Sequence, residues 1–528
     1  MEQSYRKNRG SMDEGHSSHK WLIALTVMTG TILSALDMSI VNVALPNMRG
    51  TLSASVEEIT WVSTGYILST VIIMPIVAFL SSRFGRKNFY IFSVLLFTGS
   101  SMLCGIAWDL TSMVGFRILQ GIGGGALIPI SQSILRETFP PKEQAMAMGI
   151  FGVGVMLGPA FGPTLGGWLT DNYSWPWIFY VNVPVGIINI LLIMKFIEDP
   201  HYLVRQTGKV DILGISLMTV GLGALQVMLE QGERNDWFSS EFIIYLSVVA
   251  AFGMILFIWR ELKVENPAVN LRILKDLNFS SATFLNGILG LALMSSLFIL
   301  PLFLQELLGY PAFDSGLALI PRSIAMIMIM PLAGKIYNRV GPRIMIGLGL
   351  LLNAVSFYQF SILSLSIGFW DIFFPQFLQG IGFGLIFVSL STAALSTIEK
   401  PMLTAATGLF NVVRQVFGSI GIALAATILT RGEQANRARL MEHITAFGNI
   451  GAETLRSLTQ YFSSQGMDII DAQNKALKAI EGMVMRQASM LSFNHVFFLI
   501  AALFLISTPL IFLINDLRRE IKTDIINE

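Results

Sequence analysis

Two charged side chains, Asp37 and Arg117, stand well inside long apolar runs of this 528-residue chain. A carboxylate placed at the centre of a membrane helix costs on the order of 2.5 to 3.5 kcal/mol on insertion scales, so Asp37 must face a cavity or pair with a cation. A carboxyl that alternates between an apolar setting, which favours its protonated form, and a cationic neighbour, which favours its ionised form, can bind and release a proton near neutral pH. The bland alternative is a permanent salt bridge or a helix-packing hydrogen bond. Arg117 is the candidate partner, and Gln120 and Gly121, three and four positions on, share its helix face. A snorkelling or loop-capping arginine is the other reading.

Fewer constraints fall on the remaining polar groups. Arg414 and Gln415 fall within an apolar run and either line a cavity or brace the two halves of the molecule, with Gly418 and Gly421 on the face of Arg414. Glu306 and Arg322 lie near the ends of consecutive runs, as a gate pair or as loop caps. Asn42, Gln132, Asn182, Asn286 and Asn353 are cavity contacts or helix-to-helix hydrogen bonds.

The element that must position these groups is the stretch 152–167, GVGVMLGPAFGPTLGG. Gly154, Gly158, Gly162 and Gly166 recur every four residues and leave a groove without side chains, into which another helix can pack backbone to backbone. Gly167 follows directly. Pro159 and Pro163 each remove a helical N–H, which predicts a bent, closely packed helix, either a hinge or a plain packing helix.

Apolar runs of membrane-crossing length centre near Leu33, Ser69, Thr98, Gly123, Leu157, Ile188, Val220, Ala250, Met294, Met326, Leu352, Gly382, Ile420 and Phe504, predicting fourteen spans. An even number puts both termini on one side. Arg83, Arg86, Lys87, Lys195, Arg205, Lys209, Arg260, Lys263, Arg272, Lys275, Lys335, Arg339, Arg343, Arg518, Arg519 and Lys522 all fall on that side, which the positive-inside rule makes cytoplasmic. PIVAFLSSRFGRK at 75–87 is repeated as PLAGKIYNRVGPR at 331–343, and LQGIGGG as LQGIGFG, aligning Gln120 with Gln379. The division expected is a polar, disordered tail 1–20, six spans at 21–198, two inserted spans at 199–276, six more at 277–516, and a tail 517–528. A long polar segment, 431–494, falls on the outer side, as a partner-contact surface or as a poorly ordered or hairpin-like insertion.

With 53% apolar and 13% charged residues the chain is an integral membrane protein. A net charge of +1 gives no argument for nucleic acid. One cysteine, Cys104, excludes an intrachain disulfide and a cysteine metal cluster, and the five histidines form no ligand spacing, so neither a metal site nor catalytic residues are expected. No Walker A sequence is present, which leaves ATP without its usual cradle.

LDMSIVNVALP at 36–46, WVSTGY at 61–66, AFLSSRFGRK at 78–87, RILQGIGGG at 117–125 and WIFYVNVPVG at 177–186 join the glycine-rich stretch as matched motifs. Together they resemble those of the fourteen-span drug:proton antiporters of the major facilitator superfamily, the EmrB/QacA type. The resemblance implies an all-α major facilitator fold of two six-helix bundles plus two extra central helices. It also implies export of amphipathic compounds across the bacterial cytoplasmic membrane by alternating access, with protons as coupling ion and no other cofactor. Arg117 would then tune a proton-carrying carboxyl, the 154–167 glycines and prolines would form the antiporter hinge, and Arg83, Gly85, Arg86 and Lys87 the cytoplasmic turn. Ala78 and Ser82 stand where the turn motif often has Gly and Asp, so the charge interaction made by that Asp is not available here. The long outer segment resembles that of exporters working with a periplasmic membrane-fusion adaptor and an outer-membrane channel. Alternatives are an exporter of one endogenous lipophile (siderophore, fatty acid or bile salt) and a non-transporting scaffold or receptor.

Overall fold

The computed structural model describes residues 2–200, 211–265, 267–443 and 449–515. Loop residues His201, Arg205 and Lys209 and the tail residues Arg518, Arg519 and Lys522 lie outside them. The fold is all-α, with no strand among the described residues. Fourteen helical stretches are long and apolar enough to cross a membrane. In order they are His19–Thr51, Glu58–Phe84, Arg86–Gly105, Leu110–Thr138, Gln144–Asn172, Trp177–Phe196, Ile212–Gln231, Glu241–Lys263, Leu277–Leu307, Asp314–Val340, Pro342–Ser361, Phe369–Ala394, Lys400–Glu442 and Ile469–Leu513. They are numbered here as spans one to fourteen.

The internal repeat reappears as packing. Span one lies on span five, two on four, three on four and three on six; span nine lies on thirteen, ten on twelve, eleven on twelve and eleven on fourteen. The repeated basic turns are alike in backbone: Gly85 and Gly341 both sit at positive φ, 88° and 85°. Only glycine takes that region without a steric penalty, so the turn geometry explains why the repeat keeps glycine there. Spans seven and eight pack on each other, and seven wedges between spans two and thirteen. Their ends are tied by Arg260 to Asp211 at 2.7 Å. Burial opposes ionisation of Asp211, but the Arg260 guanidinium and the Gly214 N–H outweigh it and hold this carboxyl below its ordinary range.

One expectation is corrected. The N-terminal tail, expected to be irregular, continues the first helix, which runs Glu2–Thr51. A helix nucleated by an apolar span extends at little cost when no proline intervenes, and residues 2–20 contain none. For the polar segment 431–494 the hairpin-like alternative is the one the described residues match: the thirteenth helix runs on to His443, Asn449–Ser464 forms a helix of its own, and Ile469–Ile506 returns into the membrane. The resulting hairpin is held by Asn436 donating to Ser492 (3.0 Å) and by Arg437 to Glu481 (2.8 Å).

Candidate functional site

Asp37, Arg117, Gln120 and Asn182 come together from spans one, four and six, and all four are buried. Arg117 donates to Asp37 Oδ2 at 2.5 Å, while Gln120 Nε2 (2.8 Å) and Asn182 Nδ2 (3.0 Å) donate to Oδ1. Every partner of the carboxylate is a donor, which is the complement an ionised carboxylate needs in a buried site. The guanidinium is positioned in turn by Val62 O (3.0 Å) and Gln120 Oε1 (2.7 Å), and lies over the Tyr66 ring at 4.3 Å. Asn182 is braced by Ser101 (3.1 Å), and Cys104 donates weakly to Gln120 Oε1 (3.6 Å).

Tyr66 and Ser101 were not singled out by sequence reasoning. Tyr66 lies within the WVSTGY motif, a signal that was present; nothing in the sequence distinguishes Ser101 from its neighbours.

Span five is a single helix, Gln144–Asn172, with Pro159 and Pro163 inside it. Its glycines divide into two groups. A Cβ at Gly158 would run into the Ala35 carbonyl group, one at Gly162 into Ser39, and one at Gly166 would come 2.8 Å from Ile40 O. By contrast, a Cβ at Gly154 or Gly167 would make only ordinary contacts, 3.6 Å to Met28 and 3.8 Å to Val43. The Ser39 hydroxyl also donates to Gly158 O at 2.7 Å. Ala35 and Ser39 flank Asp37, so the glycine face grips span one at the height of its carboxylate.

The two repeats meet at the end of the molecule that carries the basic turns. Thr407 donates to Pro129 O (3.0 Å), Asn411 to Gln132 (2.8 Å), Arg136 to Leu395 O (3.2 Å) and Asn338 to Lys142 O (2.7 Å). Gly334 and Gly408 admit the backbones of Ala145 and Met74. Arg86 grips Glu137 with two bonds of 2.6 and 2.9 Å and reaches Thr404 at 3.4 Å. This fork supplies a charge interaction at the turn although Ser82 turns back to Phe79 O (2.9 Å). Lys87 caps span six, its N–H on Asp199 (2.8 Å) and its Nζ on Met194 O (2.7 Å). Replacing Glu137 with Gln is expected to loosen this end, raising labelling of a cysteine placed at Ser133 by a membrane-impermeant maleimide several-fold; unchanged labelling would deny the fork a role in closure.

Glu306 and Arg322 are not brought together: Glu306 is exposed in the π-turn Phe303–Leu307 that ends span nine, while Arg322 is buried against Ser296 (3.0 Å) and Gln379 (3.2 Å). The π-turn tips the carboxylate outward. Arg414 is half-buried with its guanidinium 5.6 Å from the Phe387 ring centre. Asn42 is exposed and accepts from Ser63 at 2.9 Å. A separate apolar cavity of about 460 Å³ lies between the inserted spans and span thirteen, lined by Met218, Leu222, Phe257, Val412 and Phe417.

Fourteen helices long and apolar enough to cross a membrane, in two like-packed sets of six joined by two more, with a buried ion-paired site inside the first set, define a multi-pass membrane transporter. The chain belongs to the Major Facilitator Superfamily, whose sequence profile matches residues 27–422. It is 34% identical to the fatty acid resistance protein FarB of Neisseria gonorrhoeae over 93% of this chain and 95% of that protein. It is also 34% identical to the multidrug export protein EmrB of Haemophilus influenzae, over 92% of this chain and 93% of that protein, and 32% identical to EmrB of Escherichia coli K12, over 93% and 94%. Among solved structures it resembles the human organic anion transporter MFSD10, with a TM-score of 0.61 over 93% of this chain and 99% of that one. At 12% identity this likeness bears on the fold alone.

Proposed function

We propose that this protein is a proton-coupled multidrug exporter that moves amphipathic compounds across the bacterial cytoplasmic membrane by alternating access. It acts as a transporter rather than an enzyme, with both termini in the cytoplasm. Its two six-span units correspond to 21–198 and 277–516, with the inserted pair between them. The observation that carries the reading is Asp37, buried inside a membrane span and held by Arg117, Gln120 and Asn182. Similarity to multidrug export proteins over nearly the whole chain supports the substrate class.

The basic end is closed here, which corresponds to a state shut toward the cytoplasm. A proton arriving on Asp37 removes the negative charge that holds Arg117, and does so one turn from the glycine face of span five. Proton binding is thereby tied to the fit of span one against span five, and through it to which end is open. The outer helical hairpin is the candidate contact for a periplasmic adaptor and an outer-membrane channel.

The test is uptake of ethidium into inside-out vesicles carrying the protein. Accumulation that requires an imposed proton gradient and collapses with an uncoupler is expected; no accumulation under any gradient would sink the export reading and favour a scaffold or receptor. A dedicated fatty-acid exporter is a second reading, favoured by the similarity to the fatty acid resistance protein. Uptake confined to fatty acids would select it.

A further inference from the structure

The second repeat holds a counterpart of the Asp37 cluster, with its charges rearranged. Ser296 of span nine takes the place of Asp37 against the glutamine of span twelve, its hydroxyl 3.3 Å from Gln379 Oε1. Gln376 stands three residues before Gln379, as Arg117 stands three before Gln120. The guanidinium comes instead from span ten, as Arg322. The first cluster is an ion pair; the second keeps the cation and, among the described residues, has no acid.

Arg322 is 3% exposed, and no carboxylate pairs with it among the described residues. One nitrogen of its fork is anchored on Ser296 and Gln379. Beside it, Gln379 Nε2 and both polar atoms of Gln376 have no hydrogen-bond partner, although both side chains are wholly buried. An uncompensated guanidinium and two idle amides in one apolar setting are costly in themselves. A planar anion relieves the guanidinium and both idle N–H₂ groups at once: the fork suits a carboxylate, and each amide has an N–H₂ to donate, while Gln376 Oε1, an acceptor, gains nothing from it. Leu300, Met326 and Phe383, each four residues after Ser296, Arg322 and Gln379 in turn, are apolar and buried.

We propose that Arg322, Gln376, Gln379 and Ser296 form a binding site for the carboxylate headgroup of an amphipathic anion. Arg322 supplies the charge, Ser296 and Gln379 hold its fork, and Gln376 with Gln379 orients the headgroup. The site would take long-chain carboxylates in preference to amines of the same length. The proposal rests on the export reading for the route by which such a substrate reaches the site, and deepens it by naming a substrate class.

The experiment is binding of a fluorescent dodecanoate to the purified full-length protein in nanodiscs, read by anisotropy with no proton gradient, beside its methyl ester and the matching amine. Wild type is expected to bind the carboxylate most tightly. Arg322→Gln should weaken that binding by roughly 10- to 100-fold, as loss of a charge-assisted contact does, while leaving the ester unchanged. Arg322→Lys should recover part of the loss, and Gln376→Leu should weaken the carboxylate selectively. The unliganded Arg322→Gln protein should also melt no lower than wild type, since it loses a burden rather than a brace. Equal loss of ester and carboxylate, no charge preference in the wild type, or a lowered melting temperature with unaltered binding would overturn the proposal. Acetate competing as well as dodecanoate would overturn the amphipathic class. Should Arg322→Gln not fold, the Arg322→Lys and Gln376→Leu comparison decides alone. Absence of gradient-driven uptake in vesicles would sink the export reading without touching this result, and charge-blind binding beside normal uptake would do the reverse.

Discussion

Vesicles carrying Asp37→Asn are expected to show no gradient-driven accumulation of ethidium, with drug binding retained. For one coupled proton, each pH unit of gradient corresponds to about a tenfold concentration ratio, so a gradient of two units separates wild type from an uncoupled variant by up to roughly 100-fold. The same substitution should destabilise the protein, because Arg117 would remain buried without its counter-charge; breaking such a pair costs about 3–5 kcal/mol. Asparagine retains one acceptor for Gln120, Asn182 or Arg117, so the loss should fall toward the lower end. Adding Arg117→Gln removes the stranded cation, and the double variant should regain thermal stability without regaining coupled uptake. That combination separates the pair's part in folding from its part in coupling. Normal accumulation by Asp37→Asn would place the coupling carboxylate elsewhere.

The second large effect is steric. Gly158→Val should abolish assembly or transport, because even its Cβ would run into the Ala35 carbonyl group, and span one is held there by the Ser39 hydroxyl on Gly158 O. Overpacking of this kind typically costs about 1–3 kcal/mol, and more where backbone rather than a flexible side chain must move. Gly154→Ala and Gly167→Ala are the matched controls, since their methyl groups would meet only ordinary contacts. Monodispersity in detergent and ethidium uptake measure both outcomes. If Gly158→Val behaved like Gly154→Ala, the close contact would not be what the helix pair depends on.

That contrast also marks how far the sequence could be read. The spacing of four was visible for Gly154 to Gly166, and it located the packing face; it could not show which glycines on that face touch backbone, because this depends on how span one crosses it. The fourteen spans and the doubled basic turn were legible because membrane length, loop charge and a glycine at positive φ each leave a local mark. Asp37, Arg117, Gln120 and Asn182 were legible singly, as polar groups in apolar runs, while their convergence depended on tertiary packing. Glu306 and Arg322 show the converse: neighbouring spans suggested a pair, and a π-turn that no local sequence rule announced turned the acid away. The Arg322 cluster was half visible, since the repeat aligned Gln379 with Gln120 but gave no reason to look at Ser296.

The helical hairpin of spans thirteen and fourteen has a mechanical consequence. The thirteenth helix, Leu403–His443, has 41 residues, about 60 Å at 1.5 Å each, against a hydrocarbon layer of about 30 Å. Span fourteen belongs to a helix of 38 residues, Ile469–Ile506, packed along it. Neither helix breaks where it leaves the lipid, so the pair is a stiff lever with its fulcrum among the membrane helices. Any tilt of the second repeat during transport is enlarged at the tip in proportion to that length. A conformational cycle inside the bilayer is thus converted into a stroke well outside it.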